Sequence, residues 1–179
     1  MSKVYTTAVV IIPPRDLWGS IQDIRRKYDK HVHRWMPHIN LIYPFRASSE
    51  FSKLEFLFKA TCEKFKSFEI GLHRFNYFRH GKQKFTLWLK PEPGDLIKSL
   101  QNKILEIVPD CNDVNLHKNG FTPHLSVGQI QGEDKLKDLF RKLQDNWSTL
   151  KFSLTSIYFI AREDQKYSEF KIKKEFKLK

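Results

Sequence analysis

FTPHLSVGQI, residues 121–130, sets a proline, a histidine, an apolar residue, a polar residue and a second apolar residue in a row at Pro123–Val127. RWMPHINLIYPF, residues 34–45, sets the same order at Pro37–Leu41. Side chains on a strand alternate between its two faces. Leu125 and Val127, like Ile39 and Leu41, therefore turn one way into a core. His124 and Ser126, like His38 and Asn40, turn the other way, each pair about 6.5–7 Å apart by the strand rise. Polar side chains on an otherwise apolar strand need a partner or a purpose.

The surrounding pattern places both motifs in equivalent settings. Val4–Ile12 is β-branched and apolar and reads as a buried strand closed by Pro13-Pro14. Leu17, Trp18, Ile21, Ile24 and Tyr28 recur at helical spacing, and residues 38–43 read as a strand. Phe51, Leu54, Phe58, Cys62 and Phe65 form one helical stripe within 48–65, with Ser49 as the expected N-cap. Residues 68–78 read as a strand, followed by a turn at 80–82. Residues 84–91 then read as a strand ended by Pro91. A helix is expected over 95–108 through Leu96, Leu100, Ile104 and Ile107 or Val108. A polar loop at 109–120 leads to a strand at 124–130. Leu136, Leu139, Phe140, Leu143 and Trp147 mark the last helix. Residues 151–162 and 168–179 read as a closing hairpin, with Phe170, Ile172, Phe176 and Leu178 on one buried face.

Residues 4–78 thus run β-α-β-α-β, and 84–162 repeat the order with one strand added. The histidine motifs hold the same place in each run. This predicts an α+β fold: a single bilobal domain over 1–179 made of duplicated β-α-β-α-β units, with lobes of roughly 1–80 and 81–179 and a cleft between them. A pseudo-twofold relating the halves turns the two polar faces toward each other.

Composition bounds the chemistry. Fifteen phenylalanines supply a sizeable core, and 32 Lys+Arg against 20 Asp+Glu give a formal charge of +12. That excess favours RNA or a small phosphorylated nucleotide as partner, although a solvated lysine-rich surface gives the same sum. Two cysteines, Cys62 and Cys111, define no disulfide framework. The first apolar run is too short to span a bilayer. The expectation is a soluble monomer of the cytoplasm or nucleus, with no membrane contact. His31-x-His33 has no third ligand to complete a metal set. Seven glycines include no phosphate loop or dinucleotide fingerprint, so neither metal nor cofactor is expected. Trp88 is opposite in parity to Phe85, Leu87 and Leu89, which suits it either to the cleft wall, stacking a base, or to the core. Tyr43 shares parity with Ile39 and Leu41 and is expected in the core, unless a bulge before Pro44 turns it outward. The basic run RRKYDKHVHRW, 25–35, either steers a phosphate backbone or is a wet helix end.

Two imidazoles around one small volume can take a proton from an attacking hydroxyl and give one to a leaving alkoxide. Short polar donors beside them can hold non-bridging oxygens. The pair His38-Ile39-Asn40 and His124-Leu125-Ser126 resembles the two H-x-[ST] signatures of the 2H phosphoesterase superfamily, which includes 2′-5′ RNA ligase-like and cyclic nucleotide phosphodiesterase proteins. RWMPHINLIYPF, TLWLKP and FTPHLSVGQ are similar to one eukaryotic-type branch, the leukocyte receptor cluster member 9-like proteins. The resemblance implies two antiparallel-rich sheets lining a central groove. It also implies His38 and His124 as catalytic acid and base, and Asn40 and Ser126 as phosphate-binding residues. The implied substrates are 2′,3′-cyclic phosphates, 2′-5′ linkages and RNA ends. Position 40 departs from the signature, because an asparagine stands where a hydroxyl is usual. That leaves open a non-catalytic nucleotide or RNA-end binding module, and an RNA ligase running the chemistry in reverse, beside the hydrolase.

Overall fold

A computed structural model describes residues 2–116 and 120–179. The strands are β1 Lys3–Val4, β2 Thr7–Ile11, β3 Ile39–Ile42, β4 Phe45–Arg46, β5 Phe68–His80, β6 Lys84–Glu92, β7 Leu125–Gln131, β8 Leu150–Leu154, β9 Ser156–Ala161 and β10 Lys171–Lys177. The helices are α1 Trp18–Tyr28, α2 Phe51–Cys62, α3 Gly94–Leu105 and α4 Glu133–Asp145. All described strand pairs are antiparallel. One four-stranded sheet has the order β10-β9-β2-β3, and the other β7-β6-β5-β8. Taken from opposite edges, the two sheets match strand for strand. A helix joins the inner strand to the edge strand in each, α1 between β2 and β3 and α3 between β6 and β7.

The two sheets do not divide the chain near residue 80. β5 pairs with β6 from Gly71↔Glu92 to His80↔Lys84, so a cut at 80/81 falls at a hairpin turn where Gly81 takes φ 77°. The chain returns to the first sheet only with β9, which pairs with β2. The stretch 151–162 is accordingly two strands in two sheets, broken at Thr155, and the closing hairpin is β9–β10 alone.

The same irregularity recurs beside each histidine motif. Val9 pairs with Ile42 but Val10 with Asn40, which leaves Leu41 as an extra residue on β3. Leu87 pairs with Gly128 but Trp88 with Ser126, which leaves Val127 as an extra residue on β7. Each is a β-bulge, which twists a strand and re-aims the side chains beyond it. It explains why consecutive residues, Leu41 with Ile42 and Val127 with Gly128, are all buried.

Aromatic rings fill the space under the first sheet, with Phe159 centred 4.6–4.9 Å from Phe45, Phe51, Phe58 and Phe176. α1 reaches across to the second sheet. A Cβ added at Gly128 on β7 would stand 2.6 Å from Tyr28 Cβ and 3.2 Å from the Tyr28 carbonyl oxygen, so only glycine allows this approach. In return, the chain after α3 is tied to the first unit. Arg46 and Lys3 donate to Asp110, and Lys3 Nζ also donates to Asp113 at 2.6 Å.

Several local expectations change. Ser49 caps nothing; it lies exposed in a 3-10 turn ahead of α2. Pro91 does not end β6, because it sits opposite Leu72 beyond the last β7 partner, Leu125 opposite Leu89, where no ladder bond needs its missing N–H. The buried stripe of α3 is Ile97, Leu100, Gln101 and Ile104, and Leu96 is exposed. A register shift between Ile172 and Lys174 breaks the alternation of β10, so Ile172 is exposed while Phe170 and Phe176 are buried in separate clusters. The polar loop at 109–120 contains a 3-10 turn at Asp113–Asn115; its residues 117–119 lie outside the described residues.

Candidate active site

A groove of about 850 Å³ lies between the sheets, lined by β3 and the turn after it, by β5 and β6, by β7, and by loop residues of the α3–β7 connection. Asn40, His124 and Ser126 line it together. Its cationic or titratable rim is Lys30, His31, Arg79 and His80. Asp113, the acidic residue on the wall, is already paired with Lys3. The volume suits a nucleotide-sized ligand.

The two histidines are anchored by the same device. His38 Nδ1 lies 2.7 Å from the carbonyl oxygen of Met36, and His124 Nδ1 lies 2.8 Å from that of Thr122. A carbonyl only accepts, so Nδ1 carries the proton in both rings when neutral. Each anchor is the residue two positions upstream, which is why the Pro-His order matters. The intervening proline, Pro37 or Pro123, fixes its own φ and so limits the freedom of the chain between the carbonyl and the ring.

The aromatic supports differ. Trp35 stacks flat on His38 with centroids 4.5 Å apart and an interplanar angle of 16°, and is itself stacked on Phe170 at 3.8 Å. His124 meets Phe78 at 4.9 Å and Trp88 at 5.9 Å, both edge-to-face. Trp88 therefore does not line the cleft. It is 3% exposed, on the same face as its cross-strand partner Ser126, but Phe78 stacks over it at 4.9 Å. Phe78 is the aromatic side chain that reaches the groove there. Its signal in the sequence is faint: it stands two residues after Asn76, the β5 partner of Trp88, and so on the same face.

Tyr43 follows the exception that a bulge before Pro44 allows, and not the core position that simple alternation gives it. The bulge at Leu41 reverses parity, and Tyr43 lines the groove beside Tyr5, its hydroxyl donating to the Tyr5 carbonyl at 3.3 Å. The basic run 25–35 contributes Lys30 and His31 to the rim. Its Arg25 instead is 2% exposed, with Nε donating to Asp29 at 2.8 Å and a terminal nitrogen to Gln22 at 3.0 Å. Asp29 also accepts the His31 backbone N–H at 2.9 Å, which sets the start of the loop toward His38.

His38 is not among the described side chains lining the groove. Asn40 stands next to it, with Nδ2 3.2 Å from His38 Nε2. Burial pushes the pKa of His38 down to about 4 against the Met36 carbonyl, which favours the charged ring; Arg25 and His124 lower it further and Asp29 raises it. His124 is thus near enough for its charge to be felt at His38. The shift has a consequence for stability. An unfolded histidine titrates near 6.5, so between pH 6.5 and about 4 the unfolded chain binds a proton that folded His38 does not. Stability should fall as pH drops through that window, by at most about 3 kcal/mol, and His38 should add no pH dependence above it. Urea unfolding at pH 7, 5.5 and 4.5 checks this, with His38→Gln as reference; the variant should show the flatter profile, and equal slopes would contradict the shift.

Among the described residues, no three His, Cys, Asp or Glu side chains gather as a metal ion would require, and no helix is long and apolar enough to cross a membrane. The chain belongs to the 2′-5′ RNA ligase superfamily, whose family model matches residues 13–166. It is 26% identical over 140 residues to a protein of Geobacillus kaustophilus named as a phosphoesterase, covering 76% of this chain and 78% of the other. Its fold is similar to that of Escherichia coli LigT complexed with 3′-AMP, with a TM-score of 0.65, 14% identity and coverage of 97% and 98% of the two chains. It is also similar to that of TT0787 of Thermus thermophilus, with a TM-score of 0.63, 13% identity and 97% coverage of both chains.

Proposed function

We propose that this groove hydrolyses 2′,3′-cyclic phosphates derived from RNA, or 2′-5′ phosphodiester linkages, by general acid–base catalysis between His38 and His124. The observation that carries the reading is the duplicated anchorage: two rings on matching strands, each tied through Nδ1 to a carbonyl two residues upstream. Such anchorage fixes the tautomer and leaves proton transfer to Nε2. One histidine takes the proton of the attacking water as its oxygen bonds to phosphorus. The P–O bond to the ribose 2′ or 3′ oxygen breaks, and the other histidine gives that oxygen a proton. Ser126, on the groove wall, is suited to donate to a non-bridging oxygen. Lys30 and Arg79 supply positive potential at the mouth. Escherichia coli LigT has been solved with 3′-AMP, ATP, NADP+ and phosphate, which supports a phosphorylated nucleotide as the ligand class here.

A second reading, a binding module without turnover, is favoured by one contact: the Asn40 amide already occupies Nε2 of His38. A panel of 2′,3′-cyclic nucleotides and 2′-5′-linked dinucleotides, incubated in EDTA with product analysis, separates the two. The hydrolase predicts monoester or cleaved products with turnover unchanged by the chelator. Tight nucleoside monophosphate binding with no product from any substrate would transfer the site to the second reading.

A further inference from the structure

The two motifs share their anchorage and differ on the far side of the ring. At position 126 stands a hydroxyl, which rotates and can donate or accept. At position 40 stands an amide, whose donor and acceptor ends are fixed. Its Nδ2 points at His38 Nε2 across 3.2 Å, and its Oδ1 is buried with no hydrogen-bond partner among the described residues. A buried acceptor left unpaired is costly, so its presence asks for a state in which it is used.

We propose that Asn40 is a positioning residue for His38: its amide sits on Nε2, keeps that nitrogen a proton acceptor, and so assigns His38 as the base and His124 as the acid. This rests on the hydrolytic reading above and deepens it. The Met36 carbonyl holds the proton on Nδ1, and the Asn40 N–H then meets the lone pair of Nε2. A protonated Nε2 would face that N–H donor to donor. The charged groups around the ring act mostly in the same direction: Arg25 on α1 and His124 ahead of β7 disfavour a second positive charge, against Asp29 at the end of α1.

The reaction supplies the missing state. The attacking water displaces the amide N–H and delivers its own proton to Nε2 as the O–P bond forms. The P–O bond to the ribose oxygen breaks, and that oxygen takes the proton of His124. His38 is then an imidazolium with Nε2–H in need of an acceptor. Rotation of the Asn40 amide by half a turn about Cβ–Cγ brings Oδ1 to it. The orphan oxygen is the acceptor for His38 once it has taken the proton, and a serine or threonine would serve both states without turning.

NMR titration of the histidine ring resonances tests this without requiring turnover. In the wild-type protein, neutral His38 should show Nδ1 protonated and Nε2 unprotonated, with the Asn40 side-chain N–H shifted as a hydrogen-bonded donor. Asn40→Asp places an acceptor on Nε2–H and should raise the His38 proton affinity by about tenfold or more, one pKa unit. Asn40→Ser should shift it in the same direction by less, and remains informative if the aspartate variant fails to fold. The acidic limb of the kcat/KM profile should move with the titration. Inorganic phosphate binding should change little in Asn40→Ser. An unmoved His38 titration in the folded variants, with phosphate affinity lost instead, would make Asn40 a phosphate ligand and overturn the assignment. Wild-type protein that turns nothing over would defeat the hydrolytic reading and still leave the Asn40–His38 coupling to be read from the titration.

Discussion

His124→Ala protein should fold normally and lose turnover by about 10²–10⁴-fold, the usual worth of one general acid or base. His38→Ala should lose a similar amount. The double variant should lose little more than the worse single one, because groups that act in one step are not additive. The expectation follows from geometry. Each ring is held by a short bond to a carbonyl and by an aromatic neighbour, Trp35 for His38, Phe78 and Trp88 for His124. Both rings remain partly exposed, so truncation empties a place near the groove and leaves the core intact. Circular dichroism and urea unfolding establish that the fold is kept; single-turnover rates on a 2′,3′-cyclic nucleotide measure the loss. A double variant that cleaves as fast as wild type would remove both histidines from the chemistry.

The second large effect is on stability. Asp29→Ala should destabilise the fold by about 3–5 kcal/mol, because it leaves the Arg25 guanidinium buried without its counter-charge. The side chains of Arg25 and Asp29 are 2% and 4% exposed, and among the described residues the other Arg25 side-chain hydrogen bond is to the neutral Gln22. At roughly 2–4 °C per kcal/mol for a chain of this size, the melting temperature should drop on the order of 10 °C. Replacing both members by apolar residues of similar volume, Arg25→Met with Asp29→Leu, should recover most of that loss, since a buried pair contributes little net stability once both charges go. The pair sits where α1 turns into the loop that carries Trp35 and His38, so its integrity also bears on the site. A loss below about 1 kcal/mol in Asp29→Ala would mean that Arg25 finds water or another acceptor.

The sequence was legible where local chemistry repeated and obscure where strands exchanged. Pro-His-apolar-polar-apolar recurs because each histidine needs the same carbonyl anchor and the same inward neighbours; Ile39, Leu41, Leu125 and Val127 are all fully buried. The helices were legible from stripes such as Phe51, Leu54, Phe58 and Cys62. Sheet membership was not, because period-two alternation says which face a residue takes and nothing about which strand lies beside it. β5 and β9 both read as good strands, and only pairing reveals that each joins the sheet of the other half. Tyr43 and Ile172 escape simple alternation for one reason: each lies past or at a register shift, where counting by twos stops working, and for Tyr43 the shift is the bulge before Pro44 that the sequence leaves open. Trp88 was read by face alone, and the ring that covers it, Phe78, comes from a neighbouring strand.

The extra residues Leu41 and Val127 make this architecture sensitive to chain length in a way that substitution does not probe. Deleting either one would leave composition and hydrophobicity almost unchanged and would restore even pairing with every remaining side chain on the surface it already faces, because the paired residues that flank the extra one become neighbours; what is lost is the local twist. Tyr43 would stay on the face of Asn40, two positions away in place of three. Substitutions probe these two strands one side chain at a time, whereas a frame-preserving loss of that single codon probes the twist itself.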